Sequence, residues 1–237
     1  MTYYSARATG LLNRSPLLHM DMLESIRRGH AQMLEVTDRS VLLRDLPSGA
    51  VMLSAADEES TRRAVLAAPP TALFVAHQPW LLDAIQAELR LPRRMVCRQA
   101  VYPADQPLPV PPAADIRQLD LAYLPLVAAH YSTAGGPDYV RQRLAAGVMY
   151  GAFVGGELAG FIGTHPEGSI GMLEVLPAWR RRGLATALES YLIGRMRARG
   201  YTPFAQIVED NAPSLALQQK LGLSLAEGRV FWLTRPE

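Results

Sequence analysis

The stretch Gly168 to Ala187 (GSIGMLEVLPAWRRRGLATA) restricts the fold more than any other part of the chain. Ile170 to Leu176 is a largely apolar run, short enough for a buried strand. Pro177 has no N–H to give a ladder, so the strand is expected to stop there. A helical period then begins: Leu184, Leu188, Leu192 and Met196 fall four apart on one face. Between strand and helix stands Arg180-Arg181-Arg182-Gly183-Leu184-Ala185.

That turn has the make-up of an anion site. A helix N-terminus carries unpaired N–H groups and partial positive charge, which together hold phosphate. Gly183 lets the backbone approach a ligand with no Cβ in the way. Arginine forks match phosphate oxygens. The expected ligand is a pyrophosphate, held by Arg180, Arg181, Arg182, Gly183, Leu184 and Ala185, with Thr186 in the first helical turn. No G-x-x-x-x-G-K-[ST] occurs, which argues against a P-loop NTPase, and the turn lacks the three glycines of a dinucleotide fingerprint.

At these residues the sequence resembles the GNAT superfamily of acyl-CoA-dependent N-acyltransferases. The family signature is [Q/R]-x-x-G-x-[G/A] after a strand, and Arg180, Gly183 and Ala185 fill it. The resemblance runs from about Asp115 to Trp232. It is nearest the glycine N-acyltransferase-like branch, on GAFVGGELAGFIGTHPEGSIGMLEVLPAWRRRG and PFAQIVEDNAPSLALQQKLGL. It implies acetyl-CoA or another short acyl-CoA as co-substrate, a small-molecule amine as acceptor, and no metal.

Composition narrows the setting. A net charge of +2 and a single lysine, Lys220, give no basic tract for nucleic acid. One cysteine, Cys97, excludes an internal disulfide framework and suits a reducing compartment. No 18-residue apolar run spans a membrane and no signal-peptide core opens the chain, so a soluble cytoplasmic protein is expected, free of membrane and nucleic-acid partners. A homodimer stays open.

In chain order, residues 1–102 read as a smaller α/β domain. Met1 to about Arg14 shows no clear period and is expected to fray. A helix is expected over Leu17–Arg28, stopped by Gly29, then strands at Ala31–Val36, Val41–Leu46 and Ala50–Ser54. A helix over Asp57–Ala67, a strand at Ala72–Ala76, a helix over Trp80–Leu89 and a strand at Met95–Tyr102 complete it. Residues 103–113 carry five prolines and read as an extended interdomain linker. Residues 114–237 are expected to form the acyltransferase domain, with strands at Asp115–Leu119, Val148–Val154, Glu157–Thr164, Ile170–Leu176, Phe204–Val208 and Arg229–Thr234. Its helices are expected over Asp120–His130, Pro137–Ala145, Leu184–Gly200 and Pro213–Leu221. The expected class is thus α/β with a mixed sheet, a GNAT fold in the C-terminal half. The first domain is open as a degenerate copy of it. Its turns hold no counterpart of RRRGLA, so it is not expected to bind coenzyme A.

The chemistry needs a neutral amine, a stabilised oxyanion and a departing thiolate. The resemblance assigns the backbone of Leu173 and Val175 to alignment of the pantetheine arm and thioester. It assigns Asn211 and Ser214 to coenzyme contacts, although Asn211 is equally suited to capping the next helix. Glu174 is a carboxylate inside an apolar strand, on the face of Met172 where many family members place the base. It is either base or the ion-pair partner of a nearby arginine, and it lies among the coenzyme-binding positions. His165, in the turn His165-Pro166-Glu167-Gly168-Ser169, is the other base candidate. Glu167 and Ser169 are placed to fix the acceptor. Tyr131, with Ser132, Gly135 and Gly136, lies in the loop that often walls the acceptor site, and Tyr139 is close by. The family's tyrosine acid is replaced by Gln218. A coenzyme-binding module without turnover is therefore the second reading, and a partner-binding role for the first domain a third.

Overall fold

A computed structural model describes residues 3–80, 82–110, 113–131 and 135–235. The elements in order are α1 (Tyr3–Leu12), α2 (Met20–Arg27), β1 (Ala31–Val36), β2 (Ser40–Asp45), β3 (Val51–Ala55), α3 (Glu58–Leu66), β4 (Leu73–Ala76), α4 (Leu82–Leu89) and β5 (Arg93–Val101). Then follow β6 (Asp115–Gln118), α5 (Leu124–His130), α6 (Gly136–Ala145), β7 (Met149–Val154), β8 (Glu157–Thr164), β9 (Ile170–Val175) and α7 (Leu184–Ala198). Last come β10 (Phe204–Val208), α8 (Ala212–Lys220), β11 (Ser224–Leu225) and β12 (Val230–Thr234). The chain forms two compact units. One is Met1–Val101 with Gln206–Ser214 and Ser224–Glu237; the other is Tyr102–Ala205 with Leu215–Leu223.

In the first unit the strand order is β1-β2-β3-β4-β12-β5. Strands β1, β2 and β3 are antiparallel, β4 runs parallel to β3, and β12 lies antiparallel to β4 and β5. Side chains alternate across a strand, so one sheet makes two cores. Leu42, Val51, Leu53, Phe74 and Leu233 pack in one cluster with Ala64, Val65 and Ile85 of α3 and α4. Val41, Leu43, Met52, Val75 and Trp232 pack in the other with Ala8, Leu12 and Met22 of α1 and α2. Strand β12, expected as the last strand of the second domain, thus lies in the sheet of the first unit. Cys97 fills the second cluster.

The second unit orders β6-β7-β8-β9 antiparallel, and Ala205 of β10 pairs in parallel with Ile170 of β9. Helices α5 and α6 bury Val127, Val140 and Leu144 against Met149, Phe161 and Met172. Helix α7 buries Leu184, Leu188, Leu192 and Met196, the expected stripe, and packs on β7, β8 and β9.

Two expectations are corrected. The stretch expected to fray forms α1, because Ala8 and Leu12, four apart, are fully buried; tertiary packing overrides a weak local period. The proline-rich stretch, expected as an extended linker between the domains, belongs to the second unit where it is described. Arg197 donates to the carbonyls of Pro103, Ala104 and Gln106, the Tyr102 hydroxyl donates to Pro107 O, and Gln106 Nε2 donates to Leu221 O, all within the second unit. Pro111 and Pro112 of that stretch, and Leu81 of the expected Trp80–Leu89 helix, lie outside the described residues. Among the described residues no helix is long and apolar enough to cross a membrane.

Candidate functional site

The second unit breaks its own regularity beside the arginine turn. Opposite β8, Phe161 pairs with Glu174 but Gly163 pairs with Gly171, so β9 carries one extra residue. Met172 absorbs it with φ of 52°, a left-handed conformation that costs a non-glycine residue about 1–2 kcal/mol. On its other side β9 pairs with β10 only at Ile170, so Leu173 to Val175 run on without a parallel partner. The strand therefore leaves backbone groups without a ladder partner at Leu173, one of the two residues expected to align a thioester. Glycines at 160, 163 and 171 make room: a Cβ on Gly160 would sit 2.7 Å from the Glu174 carbonyl oxygen.

The turn that follows is an amide cradle. Arg181 has φ of 64° and Gly183, the N-cap of α7, has φ of 80° with no side-chain cap. The first helical bond is Ala187 N–H to Gly183 O at 3.0 Å. The N–H groups of Gly183, Leu184, Ala185 and Thr186 precede it and have no backbone acceptor. Successive N–H groups in such a bend form an anion-binding concavity, reinforced by the fifteen-residue dipole behind it. The three arginines are not equivalent. Arg180 Nη2 donates to Glu174 Oε1 at 3.0 Å and its Nε to Val175 O at 3.0 Å, whereas the Arg182 guanidinium lies 4.9 Å from the centre of the Trp179 ring. Arg181 points into solvent with no such anchor.

The two base candidates separate. Glu174 is the arginine-paired carboxylate, and the bulge interrupts the face it was expected to share with Met172: Met172 enters the core while Glu174 reaches Arg180. The Val175 carbonyl is taken by the same arginine. His165 instead joins a cluster. The Tyr139 hydroxyl and His165 Nδ1 share a hydrogen bond, and the Tyr131 and Tyr139 rings stack 6.4 Å apart. Burial and the nearby Glu167 push the Tyr139 phenol upward, which keeps it protonated. Glu167 is 5% exposed and accepts from the Ser169 hydroxyl. A Cβ on Gly171 would run into the His165 ring, so that glycine provides the seat for the imidazole. Tyr131, Tyr139, His165, Glu167 and Ser169 thus gather in one unit, while Ser132 lies outside the described residues.

Asn211 and Ser214 belong to the first unit. Asn211 Oδ1 accepts from Ser214 N–H at 3.1 Å, the N-cap of α8. Gln218 is buried and turned to Glu189 of α7.

Comparison with known proteins bears on the fold. A family model described as FR47-like protein matches residues 147–232. A Drosophila protein of known structure is similar with TM-score 0.66 at 17% identity, covering 98% of this chain and 97% of its own. A GNAT-family protein of Novosphingobium aromaticivorans gives 0.55 at 19% identity, over 94% and 98%. A GCN5-related N-acetyltransferase-like protein of Streptococcus suis gives 0.54 at 15%, over 97% and 100%. The fold is the GNAT fold. No curated protein matches the sequence.

Sequence reasoning missed the bulge at Met172, the left-handed Arg181 and the Tyr139–His165 bond. The available signal for the first was glycine inside strand patterns, which marks bulges and close approach.

Proposed function

We propose that this chain is an acyl-CoA-dependent N-acyltransferase acting on a small-molecule amine by direct transfer, with acetyl or another short acyl group as donor. The observation that carries this reading is the cradle of four unclaimed amides at a left-handed glycine, directly after a bulged strand. A pyrophosphate fits there, because Gly183 presents no Cβ and the first turn of α7 brings no acidic residue. Acyl-CoA supplies the thioester. Gly183 to Thr186 hold the pyrophosphate, with Arg181 free to close on it and Arg182 held in place by Trp179. Leu173 offers backbone groups to the pantetheine arm. Resemblance to the glycine N-acyltransferase-like branch supports a small amine as acceptor.

Proton removal is assigned to Tyr139 with His165. As the amine attacks, its proton passes to Tyr139 Oη while the tyrosine proton moves to His165 Nδ1, leaving the phenol neutral and the imidazole charged; the C–S bond then breaks, and the thiolate departs as coenzyme A after taking a proton from water. Glu167 orients the acceptor, and Ser169 orients Glu167. Glu174 positions Arg180. The first unit does not bind coenzyme A on this reading: its corresponding turn is capped by the Asp57 carboxylate, which would repel phosphate.

Calorimetric titration of acetyl-CoA into the protein and into a variant with Arg180 and Arg182 changed to Ala and Gly183 to Val tests the loop. Turnover with an amine panel tests the activity. Binding without turnover would favour the second reading, a regulatory acyl-CoA-binding module, for which the burial of Gln218 and the pairing of Glu174 speak. No binding by the folded wild type removes both.

A further inference from the structure

The proposed chemistry leaves a buried acid of the second unit unused. Glu189, in the second turn of α7, is fully buried, and Gln218 of α8 is 3% exposed. Gln218 Nε2 donates to Glu189 Oε1 at 2.5 Å. Each side chain keeps one further oxygen, Glu189 Oε2 and Gln218 Oε1, and both are buried with no hydrogen-bond partner. An ionised carboxylate only accepts, so nothing in that state satisfies the amide oxygen. A single proton on Oε2 changes this: a carboxylic acid and a carboxamide bond reciprocally, O–H to C=O and N–H to C=O, and both unpartnered oxygens are used at once.

We propose that Glu189 carries a proton in the folded protein and forms with Gln218 a reciprocal acid–amide latch that fastens α8 to α7 and opens when the carboxyl ionises. Among the described residues no cation is paired with it to hold the charged form. On the elements packed against α7, the ionisable groups are Tyr150 on β7, Glu157 on β8 and Glu174 on β9, with Lys220 on α8. None of these hydrogen-bonds Glu189, and Glu174 is bound to Arg180. On α7 itself, Tyr191 meets the Tyr150 ring edge-on, Arg195 lies over the Tyr150 ring, and Arg197 is spent on the carbonyls of Pro103, Ala104 and Gln106. Burial raises the Glu189 carboxyl from 4.5 to about 7, against a smaller lowering by Gln218. Helix α7 is the helix that begins at the amide cradle, so the latch sets how firmly α8 grips it. The inference stands whether or not the chain transfers acyl groups.

The sign follows from the raised value. The folded protein keeps a proton that the unfolded chain releases, so this contribution is complete below about pH 4.5 and is lost as pH rises through about 7. Denaturation midpoints of the full chain, measured from about pH 5 to about pH 8.5, are expected to fall with pH in the wild type and to lose that component in Glu189→Gln. Infrared spectroscopy at about pH 6 is expected to show the carbonyl band of a protonated, buried carboxyl that Glu189→Gln lacks. Gln218→Met removes the acceptor of the acid O–H, so the Glu189 carbonyl band should shift toward that of an unbonded carboxyl; this arm serves if Glu189→Gln does not fold. Parallel pH slopes in wild type and Glu189→Gln, a missing band, or an unshifted band in Gln218→Met would each overturn the proposal.

Discussion

The two units contain the same local motif built to opposite ends. In each, an antiparallel strand leads through a turn into a helix, and the chain returns as a parallel strand: β3-α3-β4 in the first, β9-α7-β10 in the second. In the first unit the β2–β3 ladder is unbroken, and β3 pairs with β4 at Val51–Phe74, Met52–Val75 and Leu53–Ala76. In the second, the ladder is bulged at Met172 and the parallel strands pair only at Ile170–Ala205. Helix α3 begins with Asp57, whose carboxylate accepts from Ser60 N–H and binds Arg39. Helix α7 begins with Gly183 and leaves its amides open. One turn satisfies its helix terminus with its own side chain and gains stability; the other leaves the terminus unsatisfied and strains two residues beside it. Unsatisfied amides and left-handed residues persist where a ligand uses them.

The sharpest way to break this contrast is Gly183→Val. It adds a Cβ at φ of 80° and covers the open amides. We expect acetyl-CoA affinity to fall by about two orders of magnitude in calorimetry, since lost preorganised donors cost about 3 kcal/mol. Equal titrations would put the two turns on the same footing. His165→Ala is expected to lower kcat about 100-fold, and Tyr139→Phe about tenfold, each with KM little changed, because proton transfer acts in the transition state. A rise in KM alone would make the pair an acceptor wall only. Arg180→Ala removes the guanidinium that ties Glu174 and the Val175 carbonyl to the loop. We expect coenzyme affinity to weaken several-fold, the scale of one or two hydrogen bonds to a charged group.

Asp57→Ala is the smallest test and the control from the other unit. It should lower Tm by about 3 °C through the lost cap while leaving acetyl-CoA affinity untouched. Ser60 and Arg39 hold the Asp57 carboxyl down at about 2, below its ordinary 3.8. Its contribution is therefore present above about pH 4 and disappears as pH falls through about 2. An effect on coenzyme binding would refute the assignment of the first unit as non-binding.

Much of the fold was legible because period and punctuation are local. The strand at Glu157–Thr164 and the stripe on α7 follow from residue spacing, and Pro177, Gly183 and Gly200 mark the ends. What was not legible depends on distant partners. The buried face of α1 is created by a sheet whose strands come from residues 41–52 and 230–232, so its own pattern looked aimless. The expected linker is held by Arg197, more than ninety residues away. Glu174 could be read as base or as ion-pair partner until the arginine was located.

By itself the sequence determined most of the order of elements after α1, the glycine turn with its arginines, and the absence of a second such turn. These rest on backbone chemistry: which residue lacks a Cβ, which lacks an N–H, and which can cap a helix. Only the tertiary structure decided that β9 bulges at Met172, that Glu174 pairs with Arg180 and His165 with Tyr139, that β12 joins the first unit, and that Glu189 and Gln218 face one another without solvent. Each of these depends on residues far apart in sequence meeting in space. Burial, which moves a carboxyl from 4.5 to about 7, exists only once they have met.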